Sequence, residues 1–183
     1  MVSRLTKHLL TAAAILFAST VSAQTGLWKD ETGKPVPETQ SRKSTNGFAG
    51  WLLVTPDEDW QAKWNTPSNT VPKFNEAKDV PRGKKLFVLI FFANPKVDAA
   101  GMADIVCDLK VTRPNRSASI DQKGVTCFNG RIMGNSYNMY LSVPVIAFVG
   151  EPADPSGEWI VEVKLQDNAR SVSLPLRTSF KLR

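Results

Sequence analysis

The chain has 183 residues, of which 23 are basic and 17 acidic, for a formal net charge of +6. This length suffices for one domain with a real hydrophobic core and is short for two. The positive excess is mild and scattered over turns and alternating positions, unlike the concentrated basic face of a nucleic-acid binder, so no nucleic-acid partner is expected.

Residues 1–23 have the layout of a cleaved export leader. Arg4 and Lys7 form a basic start, residues 9–17 are apolar, and Val21-Ser22-Ala23 supplies small residues, so cleavage is expected after Ala23. The apolar run is far shorter than the roughly 20 residues that cross a bilayer, so no transmembrane anchor is expected. The product is expected in the periplasm or outside the cell. The leader also carries His8, the single histidine. Without it, Ser-His-Asp and Cys-His nucleophile systems and His-containing zinc sites are excluded from the mature chain. No Gly-rich phosphate loop, EF-hand spacing or dinucleotide fingerprint occurs either. The expectation is no catalytic residue, no metal and no cofactor.

Cys107 and Cys127 are the two cysteines. In an oxidising compartment an even pair normally closes, so a disulfide is expected.

Residues 24–49 read as a polar, exposed arm whose large anchor, Trp28, could pin it where it finds a pocket. The domain proper is placed at 50–183. After a short strand at 50–54, Thr55-Pro56-Asp57-Glu58 offers a cap, a first-turn proline and a capping box, which predicts a helix over 56–64. Trp60 and Trp64 then share a face. Asp57, Glu58 and Asp59 are explained by the positive end of the helix dipole rather than by catalysis. After an irregular connection, residues 86–93 are apolar at every position, as in a strand buried on both faces. Its second face needs a cover, either the Trp60 and Trp64 face or a partner.

Residues 102–113 alternate, with Ile105, Cys107, Leu109 and Val111 inward, which favours a buried structural disulfide. A turn at 113–116 leads into a less regular strand returning to Cys127. Residues 128–137 read as a loop with Asn129-Gly130 and Gly134-Asn135 at its tips. The apolar stretch 137–149 is broken by Pro144, which implies an edge, a bulge or a switch between sheets. A turn ordered by Asp154 precedes two alternating segments, 158–166 and 171–182, that close as a hairpin. Trp51 and Trp159 fall in strand patterns and are assigned to the core. Asp104 and Asp108 share a strand face about 13 Å apart, too far for a shared carboxylate site.

About seven strands, one short helix and one disulfide predict a mostly β chain folded as a single antiparallel β-sandwich. The run Asp154-Pro155-Ser156-Gly157-Glu158-Trp159-Ile160-Val161-Glu162-Val163, with the hairpin that follows, resembles the end of exported bacterial immunoglobulin-like or fibronectin type III-like domains. That resemblance covers roughly the last thirty residues and implies an immunoglobulin-like architecture and a binding role. The short cysteine spacing departs from the long antibody-type bridge.

The functional expectation is a non-catalytic periplasmic or secreted protein-binding module of the cell envelope. Loops at sandwich ends are where such domains meet partners. The predicted surface joins Phe128, Arg131, Met133 and Tyr137 to Arg113 and Arg116. One alternative is an immunity or inhibitor protein acting on a secreted or envelope enzyme. Another is a carbohydrate-binding β-sandwich with an exposed aromatic row.

Overall fold

A computed structural model describes residues 27–183 apart from positions 31, 68 and 69. The leader and its cleavage point after Ala23 lie outside the described residues. Among the described residues, ten strands form two five-stranded sheets. The first sheet contains β1 (Arg42–Thr45), β2 (Phe48–Thr55) and β4 (Lys85–Ala93), with the short β7 (Met139–Leu141) and β8 (Ile146–Val149) both on the far edge of β4. The second runs in the order β3 (Asp79–Val80), β10 (Val172–Leu182), β9 (Gly157–Asp167), β5 (Met102–Thr112) and β6 (Ala118–Arg131). Every pairing is antiparallel except the two-residue contact of β3 with β10. The chain is a β-sandwich, with ten strands rather than seven because four of them are only two to four residues long. Among the described residues no helix is long and apolar enough to cross a membrane.

Alternation decides the core. Along β5 every second residue is buried, from Ala103 to Val111, and β9 repeats the pattern with Trp159, Val161, Val163 and Leu165. These side chains meet Leu86, Val88, Ile90 and Phe92 from β4 between the sheets. Trp159 lies fully inside, stacked on Phe180, with its indole N–H donating to the Pro155 carbonyl at 3.1 Å. Gly50 lets β2 come close to the second sheet, since a Cβ there would stand 2.8 Å from a Leu165 methyl.

The disulfide forms as expected. Cys107 and Cys127 are both buried, with Cα atoms 5.7 Å apart, and the bond joins neighbouring strands of one sheet.

The second face of β4 is covered by the chain itself. Leu89 and Phe91 are buried under Trp51, Trp60, Trp64 and Phe74. The helix that brings Trp60 and Trp64 there is shorter than predicted: α1 spans Trp60–Trp64. Thr55 does not cap it, because Thr55 is the buried last residue of β2 and its hydroxyl accepts from Asp57 N instead. Asp57 likewise does not serve the helix end. Its carboxylate accepts from Asn75 N and Asn75 Nδ2, each at 2.8 Å, and pairs with Lys63 Nζ at 2.8 Å, so it ties the β2–α1 turn to the returning connection.

Burial alone would push the Asp57 pKa up, but the Lys63 ammonium and the two Asn75 donors outweigh it and hold the group at about 2, below the ordinary 3.8. A depressed carboxyl pKa stabilises the fold above the unfolded value and stops doing so as the pH falls through the folded one. Asp57→Asn is therefore expected to lose roughly 2 kcal/mol near neutral pH. In urea unfolding the gap between wild type and variant should close between about pH 4 and pH 2; a gap independent of pH would refute this role.

The described part of the expected arm, within 27–49, is less free than the sequence suggests. Residues 42–45 are β1 and β2 already begins at Phe48. Gln40 accepts a backbone hydrogen bond from Arg177 of β10 while Ser41 accepts one from Leu52 of β2, so this stretch touches both sheets. Trp28 is pinned, as expected, at 8 % exposure. Pro144 interrupts an edge: β7 and β8 pair with opposite halves of β4, and Val143-Pro144, a cis peptide, lies between them.

Candidate functional site

Register places the site. Arg42 of β1 pairs with Trp51 of β2, Trp51 with Phe91 of β4, and Phe91 with Leu141 of β7, so these four form one row across the outer face of the first sheet. The next row on that face is Ser44, Ala49, Ala93 and Met139. Two alanines side by side leave a dip in the sheet surface, and Trp28 packs onto them. A tight turn presents Trp28 there. Asp30 Oδ1 accepts from Thr32 N, Thr32 Oγ1 and Lys34 N, Gly33 takes the left-handed conformation at φ 81°, and Val36 N donates to the Trp28 carbonyl.

Beside Trp28 opens a groove of about 1000 Å³. Ala49, Trp51, Ala93 and Met139 contribute to its walls, and Leu27, Val71 and Tyr137 stand at its exposed margin. Val71 is 68 % and Tyr137 64 % exposed, a large apolar presentation for a side of the molecule that already buries three tryptophans in part. A second hollow of about 280 Å³, reaching Phe74 and Glu76, shares Arg42 and Trp51 with it.

The groove also contains an electrostatic anomaly. The Arg42 guanidinium lies over the Trp28 ring at 5.4 Å, and its Nη2 donates to the Pro37 carbonyl at 3.2 Å. Yet Arg42 Nε and Trp28 Nε1 are both buried with no acceptor among the described residues. Each is a donor only, and a buried unpaired donor costs about 1–3 kcal/mol. Lys29 adds a further positive charge to the lining, whereas Asp30, the one lining carboxylate among the described residues, is engaged within its own turn and has its pKa lowered by the Thr32 hydroxyl and the Lys34 amide.

Of the residues expected to form a recognition surface, one lines this groove. Tyr137 is held there by a hydrogen bond from its own amide to Asn135 Oδ1, by Asn94 N donating to the Ser136 carbonyl, and by the Tyr140 hydroxyl, whose single proton is shared between the carbonyls of Met133 and Asn135. Burial raises the Tyr140 pKa, so that hydroxyl keeps its proton. Met133 is exposed in the same loop. Phe128 is not in a loop: β6 continues to Arg131, and Phe128 points inward against Phe92 and Tyr140. Arg131 is exposed at the end of β6, paired with Met102.

Arg113 and Arg116 lie elsewhere. They sit in the turn between β5 and β6, at the opposite end of a hairpin whose strands span roughly 30 Å at about 3.3 Å per residue. Arg113 is moreover committed to structure, stacked over Trp159 at 5.6 Å and donating to the Ala118 carbonyl. The six residues therefore do not form one surface. Trp51, assigned to the core from its strand pattern, is half-buried on the outer face and belongs to the groove. Asp104 and Asp108 have separate tasks, accepting from Asn168 and from Gly124 N. Asp154 orders its turn by accepting from Glu151 N. Among the described residues no cluster of three or more His, Cys, Asp or Glu could hold a metal ion.

No protein-family model matches the chain. No curated protein matches it in sequence. Solved structures align with parts of the chain at a distance. A family 123 glycoside hydrolase from Clostridium perfringens aligns over 73 % of this chain and 27 % of its own, with 8 % identity and a TM-score of 0.42. A Niemann-Pick type C2 protein from Japanese carpenter ant aligns over 72 % of this chain and 89 % of its own, with 10 % identity and a TM-score of 0.37. A Pseudomonas fluorescens alkylpurine DNA glycosylase aligns over 75 % of this chain and 30 % of its own, with 12 % identity and a TM-score of 0.38. The chain thus spans less than a third of the length of the two enzymes.

Proposed function

We propose that the chain is a non-catalytic protein-binding module of the periplasm or the cell exterior, exported by cleavage after Ala23, and that it holds its partner in the groove on the outer face of the first sheet. The observation that carries this reading is the groove itself: a concave apolar surface, with Val71 and Tyr137 exposed at its margin, on a sheet face that the fold otherwise covers with Trp51, Trp60, Trp64 and Phe74. Exposed apolar surface rimmed by polar residues marks interaction sites on protein surfaces. The disulfide accords with an oxidising compartment.

The oxidised protein, used as bait against envelope and secreted fractions, tests this. Val71→Glu with Tyr137→Glu alters only exposed positions, so the fold should survive, and capture of the partner should be lost. Arg113→Glu with Arg116→Glu, at the far end of the β5–β6 hairpin, should leave capture intact. Capture that follows the second pair instead would move the site to that end, and retention on an immobilised glycan array would favour carbohydrate as the ligand.

A further inference from the structure

We infer that the turn carrying Trp28, within residues 27–36, is a hinged strap. In the free protein it swings off the first sheet about the Val36–Pro37 junction and lifts Trp28 out of its seat; in the complex it closes over an apolar side chain of the partner. What the strap closes on rests on the groove proposed above, whereas its movement does not.

Among the described residues, every hydrogen bond of the strap stays inside it. Asp30 N donates to the Lys34 carbonyl, Gly33 N to the Asp30 carbonyl and Val36 N to the Trp28 carbonyl, and Asp30 Oδ1 accepts from Thr32 and Lys34. Bonds to β1 begin one residue later: the Pro37 carbonyl accepts from Arg42 Nη2, and Glu38 Oε1 accepts from Ser44 N and Ser44 Oγ. Packing alone therefore holds the strap. Trp28 sits on Ala49 and Ala93 under the Arg42 guanidinium, with Val36 alongside, in a small cluster separate from the core between the sheets.

Closure buries the indole, which favours it, and strands Trp28 Nε1 and Arg42 Nε away from water with no acceptor among the described residues, which opposes it. Both are donors only, so neither can satisfy the other, and water reaches them once the ring lifts. Lifting it also joins the alanine dip to the groove beside Trp51 and Met139, which makes room for an apolar side chain. Segments held by little packing open without unfolding the domain. A lone hairpin of this size is not stable in water, so its amides exchange while it is off the sheet.

Deuterium exchange of the indole N–H groups of the oxidised protein, followed by NMR, tests this against an internal reference. Trp159 Nε1 is buried in the core and donates to the Pro155 carbonyl. The Trp28 indole, identified by its absence in Trp28→Phe, should exchange about a hundredfold or more faster than that of Trp159, and with little dependence on urea, because a local opening exposes little surface. Trp28→Phe keeps an apolar ring on the alanines and removes one stranded donor, so the Asp30 and Val36 amides should exchange severalfold more slowly than in the wild type. The partner captured from the envelope fractions should slow the wild-type Trp28 indole about tenfold or more.

Equal rates and equal urea dependence for the two indoles would overturn the inference, since Trp28 would then leave only when the whole domain unfolds. Faster amide exchange in Trp28→Phe would do the same by marking the ring as ordinary packing, as would a Trp28 indole that the partner does not slow. If the indoles exchange alike while the Val71 and Tyr137 substitutions abolish capture, the groove remains the binding site with a fixed wall and only the strap is wrong.

Discussion

Asp167→Ala is expected to destabilise the oxidised protein by about 3–5 kcal/mol, the range for removing one partner of a buried ion pair. Asp167 ends β9 with no exposure to solvent. Its carboxylate accepts from Lys96 N at 2.8 Å, from Arg170 N at 3.0 Å and from Arg170 Nε at 3.4 Å. Arg170 in turn donates through Nη1 to the Asn46 carbonyl and through Nη2 to the Asn94 carbonyl. One carboxylate thereby orients a guanidinium that holds the β9–β10 turn of the second sheet to the β1–β2 turn and the end of β4 in the first. Truncation leaves a largely buried cation without its counter-charge and two backbone donors, Lys96 N and Arg170 N, unpaired, and that penalty exceeds the worth of the pair itself.

For a domain of this size each kcal/mol moves the melting temperature by about 2–4 °C, so a fall of roughly 6–20 °C is expected. Urea unfolding should show a lower midpoint at unchanged slope. A loss below about 1 kcal/mol would mean that Arg170 holds the two turns without the carboxylate. Because Asn94 also lines the groove, the same variant should loosen the groove wall before it unfolds the domain.

Replacing both cysteines by alanine is expected to cost about 3 kcal/mol. The bond closes a sequence separation of 20 residues, and loop-closure entropy in the unfolded chain accounts for most of that figure. The lost packing of two buried sulfurs adds to it. The stapled strands, β5 and β6, are the pair most in need of it: their register shifts at Ile105/Val106, Cys107/Leu109 and Val111/Thr112, and β6 stands at the edge of the second sheet. Comparing midpoints of the oxidised protein and the double variant measures the effect. Equal stability would mean that the unfolded chain is already constrained near these residues. The disulfide lies across the core from the groove, so binding by the folded fraction should not change.

What could be read from sequence follows from how each strand is buried. β5, β9 and β10 each have one face in the core, so their alternation was visible, and β4, buried on both faces, showed as an unbroken apolar run. β6 was hard to follow because each register shift resets the phase of its side chains, and Asn129-Gly130, a plausible turn tip, stays within the strand. Read as a turn tip, Asn129-Gly130 shortens the hairpin and brings Arg113 and Arg116 close to Tyr137. The capping signature at Thr55 failed because a buried position at the end of a strand claimed the residue first.

The groove was the least legible feature. Its walls come from residues near 28, 42, 51, 93 and 137, which only the register of β1, β2, β4 and β7 brings together. Arg42 in a polar stretch gave no local hint that it would lie over an indole. Trp28 was recognisable as an anchor, while its unpaired N–H is a property of the folded surroundings alone.

The central claim, that the partner sits on the outer face of the first sheet, is tested most directly by amide hydrogen exchange of the protein alone and in complex with the captured partner. The account predicts slowed exchange in residues 27–36, in β1 and around Asn94 and Tyr137, with the 113–117 turn unchanged. Protection confined to that turn or to the outer edge of β6, with the groove exchanging as in the free protein, would contradict it.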